Sequence, residues 1–377
     1  MESFVKVLLA LICSQGHSQR GREVYAQIKP VKAGDVLEQS NLQFSIDLYQ
    51  ESVKREGNVF FSPWSLQTTL GMVYAGAEGR TKSQMQKALS FPSNNSDDLI
   101  YEGLHRNLIS IQDTNSVDFS LDAGSRVFVS NDTTLKPGYQ TILQNTFQSG
   151  ASGVNFRNES NEIREDINAW VRQKTQGKIL ELIPNGALGP DTKMVLVNAI
   201  YFKGTWLTQF KAEKTLPSDF HISKDRSVQT DMMNLETKIR VGHLDDPKLQ
   251  VFELPYDGAR LSMIVFLPEE NDGLKEVERR LTADTLKRAM RSLDIHNVNL
   301  LFPKFKIEHT LPAKDLLIQS HVESVGREDI LRLPFNSYVE CEKARESEYH
   351  QQVFWENYKL SNVMISFLNA SKIASYR

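Results

Sequence analysis

MVLVNAIYFKGTW (Met194–Trp206) is the stretch on which the reading of the whole chain turns. From Met194 to Phe202 nearly every residue is apolar, which predicts a β-strand covered on both faces. Asn198 breaks the run. If buried, that amide must find hydrogen-bond partners or cost about 1–3 kcal/mol.

Upstream, Ile163, Ile167, Trp170 and Val171 recur at helical spacing, with Ser160 or Asn161 as the cap and Gly177 as the terminator. Ser62-Pro63 reads as an N-cap followed by proline at the first helical position, and Leu66, Leu70 and Val73 carry one apolar face on to Gly76. Thr81 and Gln84 have capping-box spacing ahead of Met85, Ala88 and Leu89. Leu42, Ile46 and Tyr49 predict a helix over Asn41–Tyr49. Downstream, strands take over. VFELPY, DGAR and LSMIVFLP read as a hairpin turning at Asp257-Gly258, and VNLLFPKFKI as a strand broken at Pro303. Helices first and strands second is an α+β order, not a series of βαβ units. Without repeats, low-complexity tracts or a Pro/Gly-rich linker, one domain is expected.

Composition narrows the function. The chain has 377 residues, 40% hydrophobic and 24% charged, with a net charge of -3, which is a globular balance that offers nothing to nucleic acid or an anionic membrane. MESFVK, the apolar run Val7–Cys13 and the small residues of SQGHS predict a secretory leader over residues 1–18, cut after Gly16 or Ser18. Residues 19–40 then form an N-terminal extension. No other apolar run nears the ~20 residues of a membrane span, so an extracellular product is expected. Cys13 would leave with the leader and Cys341 would remain alone, which excludes an intramolecular disulfide. The sequons at Asn94, Asn131 and Asn158 fit glycosylated surface loops, and Asn369 begins a fourth.

Chemistry-bearing motifs fail one by one. The eight histidines form no HExxH or other short metal-ligand pair, and no CxxC is present. GASGV around Ser152 misses the nucleophile-elbow spacing by one position. GAEGRT (Gly76–Thr81) lacks the phosphate-loop spacing and follows a helix. Neither an enzyme nor a cofactor is expected.

From Asn41 to about Leu317 the chain resembles the serpin family. NVFFSPWSLQTTLGMVYAGAEGRTKSQM (Asn58–Met85) resembles the family's second and third helices. INAWVRQKTQGKILELI (Ile167–Ile183) resembles the helix across the main sheet and the segment after it, with Asn168, Trp170, Thr175 and Gly177 as structural residues. MVLVNAIYFKGTW resembles the third strand of sheet A, and ELPYDGARLSMIVFLPEENDGLKEVERRL and FPKFKIEHTLPAKDLL follow in order. The resemblance implies a single α+β domain with three β-sheets and about eight or nine helices. It also implies a monomeric inhibitor of an extracellular serine protease, in which a cleaved reactive loop inserts into sheet A. By the same resemblance Ser62, Ser65 and Asn198 are shutter residues beneath that sheet, and Trp206 stands at the breach where insertion begins. Ser96–Ile111 sets Arg106 and His105 against Asp97, Asp98 and Glu102, which disfavours heparin binding of the family's kind.

Residues 318–377 depart from this pattern. A further helix, the fifth strand of sheet A, a small-residue hinge, the reactive bond and two buried strands of sheet B should follow Leu317, and none is legible there. His321 and His350 lie in non-matching context, so the shutter histidine has no counterpart. The C-terminal strands of the fold are therefore expected to be missing or replaced, with NVMISFL (Asn362–Leu368) as a substitute for one of them.

Overall fold

A computed structural model describes residues 8–13, 36–54, 58–93, 96–112, 119–223, 225–258, 261–311, 335–341 and 364–368. The helices are α1 (Val36–Ser52), α2 (Pro63–Gly76), α3 (Gly79–Ala88), α4 (Asp97–Gln112), α5 (Pro137–Phe147), α6 (Phe156–Lys174), α7 (Leu274–Arg279) and α8 (Ala283–Arg291). The strands are β1 (Leu8–Cys13), β2 (Phe119–Ser130), β3 (Ala151–Val154), β4 (Met194–Gly204), β5 (Thr215–Ser223), β6 (Arg226–Asp245), β7 (Lys248–Pro255), β8 (Leu261–Pro268), β9 (Asp294–Pro303), β10 (Phe305–Leu311), β11 (Phe335–Cys341) and β12 (Met364–Leu368). Among the described residues, six of the eight helices precede β4 and eight of the twelve strands follow it, which is the expected α+β order.

Three sheets result. β3-β2-β4 is one, and β10 pairs antiparallel with β11 in a second. The third runs β12-β1-β8-β7-β6-β5, with β9 also paired to β6. The 20-residue β6 is its branch point: Arg226–Met233 pairs with β5, Met232–Val241 with β9, and Arg240–Asp245 with β7. β7 and β8 form the expected hairpin, and β9 stops at Pro303 before β10 begins at Phe305. Gly242 in β6 is a packing necessity, because a Cβ there would sit 2.8 Å from the backbone of Ser292 after α8.

Local signals hold at α2. Ser62 is its N-cap, with Oγ accepting from the Ser65 N–H at 3.3 Å, and Pro63 occupies the first helical position. The helix is not one-sided, however. Every residue from Pro63 to Tyr74 is buried, so Gln67, Thr68 and Thr69 are interior as well as Leu66, Leu70 and Val73. Their polar groups are used locally: Asn41 Nδ2 donates to Gln67 Oε1 at 3.0 Å, Gln67 Nε2 to the Leu89 carbonyl at 3.0 Å, and Thr69 Oγ1 to the Ser65 carbonyl at 2.9 Å.

Several boundaries differ from expectation. α1 extends well beyond Asn41–Tyr49, so part of the N-terminal extension is helical. α3 starts at Gly79 with Glu78 as N-cap, which leaves Thr81 inside the helix and dissolves the capping box with Gln84. α6 is capped by Asn155, whose side chain accepts from the Asn158 N–H, and not by Ser160 or Asn161. The backbone leaves helical geometry at Glu159 (φ -128°), just before the expected caps, so a short first turn precedes the periodic segment. The tail is filled rather than empty, since Phe335–Cys341 and Met364–Leu368 both form strands. The second of these lies within the NVMISFL run.

Candidate functional site

β4 is covered on both faces, as its composition predicts. On one side Val195 and Val197 join Ile163, Ile167 and Val171 of α6 and Leu182 and Ile183 beyond it. On the other, Met194 and Leu196 pack towards the helical core that holds Leu70, Val127, Leu143 and Phe147. Asn198 falls in register with Met194 and Leu196, so it faces the helical side. There it is hydrogen-bonded twice. Ser65 Oγ donates to Asn198 Oδ1, and Asn198 Nδ2 donates to Ser125 Oγ at 3.0 Å. Ser125 is the direct cross-strand partner of Asn198 on β2, and its carbonyl accepts from Ser149 Oγ at 3.2 Å.

The result is a polar chain, Ser65–Asn198–Ser125, that ties the first turn of α2 to the middle of the sheet. Ser62 stands apart from it as the helix cap. Sequence reasoning missed Ser125 altogether. Its signal is a lone hydroxyl in the alternation Leu121, Ala123, Ser125, Val127, Val129.

Among the described residues β4 is an edge strand of its sheet, and β11 approaches it without a hydrogen-bonded ladder joining the two. This seam is the candidate site: a strand edge with no ladder among the described residues, a neighbouring strand, and a polar chain beneath. His321 and His350 lie outside the described residues.

α6 forms the outer cover of the same sheet. A Cβ on Gly124 of β2 would come within 3.2 Å of Trp170 Cζ2, so the glycine sets the closeness of helix and sheet. Asn168 joins α6 to the segment behind it. Its Nδ2 donates to the Ile183 carbonyl at 2.9 Å, and its Oδ1 accepts from the N–H groups of Leu182 and Ile183. Thr175 Oγ1 donates to the Val171 carbonyl and accepts from the Ile179 N–H, so both residues have structural work.

Trp206 lies eight residues beyond Asn198, about 26 Å along an extended chain. It is buried, stacks on Tyr256 with ring centroids 4.4 Å apart and planes 14° apart, and meets Phe210 edge-on. Backbone bonds from Leu207 N–H to the Pro255 carbonyl (2.9 Å) and from Asp257 N–H to the Thr205 carbonyl (2.7 Å) clamp it to the β7–β8 hairpin.

The sequons separate by position. Asn94 and Asn369 are outside the described residues. Asn131 is exposed in the turn after β2. Asn158 is exposed too, but it sits in the first turn of α6 rather than in a loop, because Asn155 starts the helix earlier than Ser160 would. On α4, Arg106 is ion-paired with Glu102 one turn away. Asp97 is held below the ordinary carboxylate range despite its partial burial, because Lys82 and Tyr74 both donate to it.

The sheet β3-β2-β4 is thus covered by α2 on one side and by α6 on the other. The family model described as "Serpin (serine protease inhibitor)" matches residues 39–330. The chain belongs to the serpin family. It is 36% identical over 287 residues to Iris of Ixodes ricinus, covering 75% of each chain, and 34% identical over 297 residues to the leukocyte elastase inhibitor of Bos taurus, covering 77% of this chain and 78% of the relative. Among solved structures, emu (Dromaius novaehollandiae) ovalbumin matches at a TM-score of 0.73 with 28% identity, covering 78% of this chain and 79% of that one. Cleaved Serpin 42Da matches at a TM-score of 0.74 with 29% identity, covering 82% and 86%.

Proposed function

We propose that this protein is a secreted inhibitor of serine-type endopeptidases that acts by insertion of a cleaved segment into the seam between β4 and β11. The observation that carries the proposal is the unladdered edge of β4 beside β11, with Ser65–Asn198–Ser125 beneath it. In this reading a protease serine attacks a peptide bond in the chain beyond β11, and the acyl-enzyme forms. The freed segment then enters the seam and takes up the unpaired backbone groups of β4. The shutter hydroxyls exchange partners as the strands part. Relatedness to a protein named leukocyte elastase inhibitor supports a serine protease as the target. The leader-like residues 1–18 support an extracellular site of action.

A second reading, a non-inhibitory serpin-like binding protein, is favoured by the sequence directly after β11. Glu342, Lys343, Arg345, Glu346 and Glu348 stand where a small-residue hinge would enter the sheet. Both faces of β4 are covered, so an inserted neighbour would bury charge on either face. One experiment separates the readings: secreted protein is incubated with trypsin-, chymotrypsin- and elastase-like proteases and resolved in SDS. An SDS-stable adduct with any of them supports inhibition. Absence of an adduct with all three sinks it. A folded monomer on size exclusion then supports the binding protein, and aggregate points to an inactive product.

A further inference from the structure

β9 pairs with β6 from Asp294↔Val241 to Pro303↔Met232 without a bulge, and among the described residues no strand pairs with its other edge. Alternation along the strand fixes its two faces. Val298, Leu300 and Phe302 pack into the core beneath, while Ile295, Asn297, Asn299 and Leu301 are exposed on the opposite side. Ile295 and Leu301 are two of the five large apolar residues that are exposed among the described residues.

The opposite edge of this part of the sheet is blunted. β5 carries Pro217 and a register break between His221 and Ser223, and both resist pairing with a foreign strand. β9 has no lysine or arginine, no bulge, and no proline before Pro303. A regular edge of this kind is a template for another strand.

The order of its side chains selects that strand. Ile295, Asn297, Asn299 and Leu301 run apolar, amide, amide, apolar, which reads the same from either end. Two copies of β9 laid antiparallel about a two-fold axis at Val298 form one continuous sheet with the exposed faces on the same side. Ile295 then meets Leu301 of the second copy, and Asn297 meets Asn299 of the second copy. An axis at Asn297 or Asn299 would instead set Ile295 or Leu301 against an asparagine. Asn234 Nδ2 donates to Asn299 Oδ1 at 2.8 Å, so Asn299 keeps amide N–H groups for the oxygen of the Asn297 opposite. Charge agrees too. Lys238 is in register with Asn297 and Glu236 with Asn299, so each row across the axis ends in lysine on one copy and glutamate on the other.

We infer that the β9 edge is a docking site for β9 of a second copy of this chain, in an antiparallel two-fold pair. A single pair of strands buries less than a standard interface, so the dimer is reversible and the folded monomer returns on dilution. Protease inhibition plays no part in it.

A single cysteine reads the axis. In the full chain with Cys13 and Cys341 changed to serine, Val298→Cys should form an interchain disulfide in a glutathione buffer, because position 298 faces its own copy at strand-pair distance. Ile295→Cys should stay reduced, since its copy lies six positions along the ladder, about 20 Å away. Equal crosslinking of the two, or none at position 298, overturns the inference. Without engineered cysteines, sedimentation of the full chain should show a dimer that grows with concentration. Leu301→Lys should weaken it about tenfold, through two lost apolar cross-strand pairs. A monomer at every concentration overturns the inference, and so does a dimer indifferent to Leu301→Lys. Hydrogen exchange on the dilute monomer reads the edge directly. Every second amide of Asp294–Phe302 should exchange fast there and slow down as the dimer forms. Protection of all of them in the monomer would mean that a segment of the same chain holds the edge, which also overturns the inference.

Discussion

The segment Met194–Trp206 is held in two ways along its length, by a polar grip within β4 and an apolar one just beyond it. At Asn198 the grip is polar, two directional hydrogen bonds reaching a helix and a neighbouring strand. At Trp206 it is aromatic and apolar, a stacked pair clamped by backbone bonds to a hairpin. Hydrogen bonds can be traded for others at little net cost when a strand slides, because each is worth only about 0.5–1.5 kcal/mol net. A buried indole has no such substitute, since moving it leaves a cavity. The polar end of this segment is therefore the more exchangeable of the two and the aromatic end the more fixed.

The largest expected effect breaks the anchor. Trp206→Ala should cost about 3–5 kcal/mol in denaturant unfolding, through lost burial and the void beside Tyr256 and Phe210. Asn198→Ala should cost less, about 1–3 kcal/mol, by leaving the Ser65 and Ser125 hydroxyls without their partner. Equal losses for the two would erase the distinction between exchangeable and fixed ends. A Ser65→Ala/Asn198→Ala cycle sharpens the polar side, with an expected coupling of at least about 0.5 kcal/mol; additivity would mean that Ser65 and Asn198 do not act together.

Smaller still is Gly124→Ala. The added Cβ would press on Trp170 and Lys174, both side chains with room to yield, for a cost of about 1 kcal/mol. Release of α6 should appear as faster hydrogen exchange along Ile163–Val171. The mildest test is alkaline pH. Burial pushes the hydroxyls of Tyr139 and Tyr101 up to about 12, and for Tyr101 the nearby Asp97 and Asp98 carboxylates add to the effect. Raised folded-state pKa values mean that this stabilisation is fully present below pH ~10, where the unfolded tyrosine titrates, and is lost as pH rises towards 12. Tyrosinate absorbance should therefore lag that of the denatured chain across this window, and stability should fall through it.

Much of the fold was legible because its signals are local. Ser62-Pro63 announces α2 through cap chemistry, the nearly all-apolar run announces the double cover of β4, and Pro303 announces the break between β9 and β10. The misses have physical causes as well. Thr81 and Gln84 have the right spacing for a capping box, but α3 starts at Gly79, which puts Thr81 inside the helix. Gln67, Thr68 and Thr69 lie off the apolar stripe of Leu66, Leu70 and Val73, yet they are buried because α2 is surrounded, and the polar groups of Gln67 and Thr69 find partners 4 to 26 residues away. Of the candidate site, Ser65 and Asn198 stood out on their residue types and on the family resemblance. Ser125 did not, because a serine becomes a partner for Asn198 only once strand register sets it opposite.

By itself the sequence determined the α+β order, the family and the covered strand that carries Asn198. Each of these rests on periodicity, capping or a long run of matching motifs, all of which act within a short span of chain. Tertiary structure alone decided that Ser125, 73 residues away, completes the polar chain beneath β4. It alone decided that, among the described residues, β11 stands beside β4 without a ladder, and that two apolar runs from opposite ends of the chain pair with each other beside β8. Register and strand order are set by burial across the whole molecule, and no local stretch contains that information.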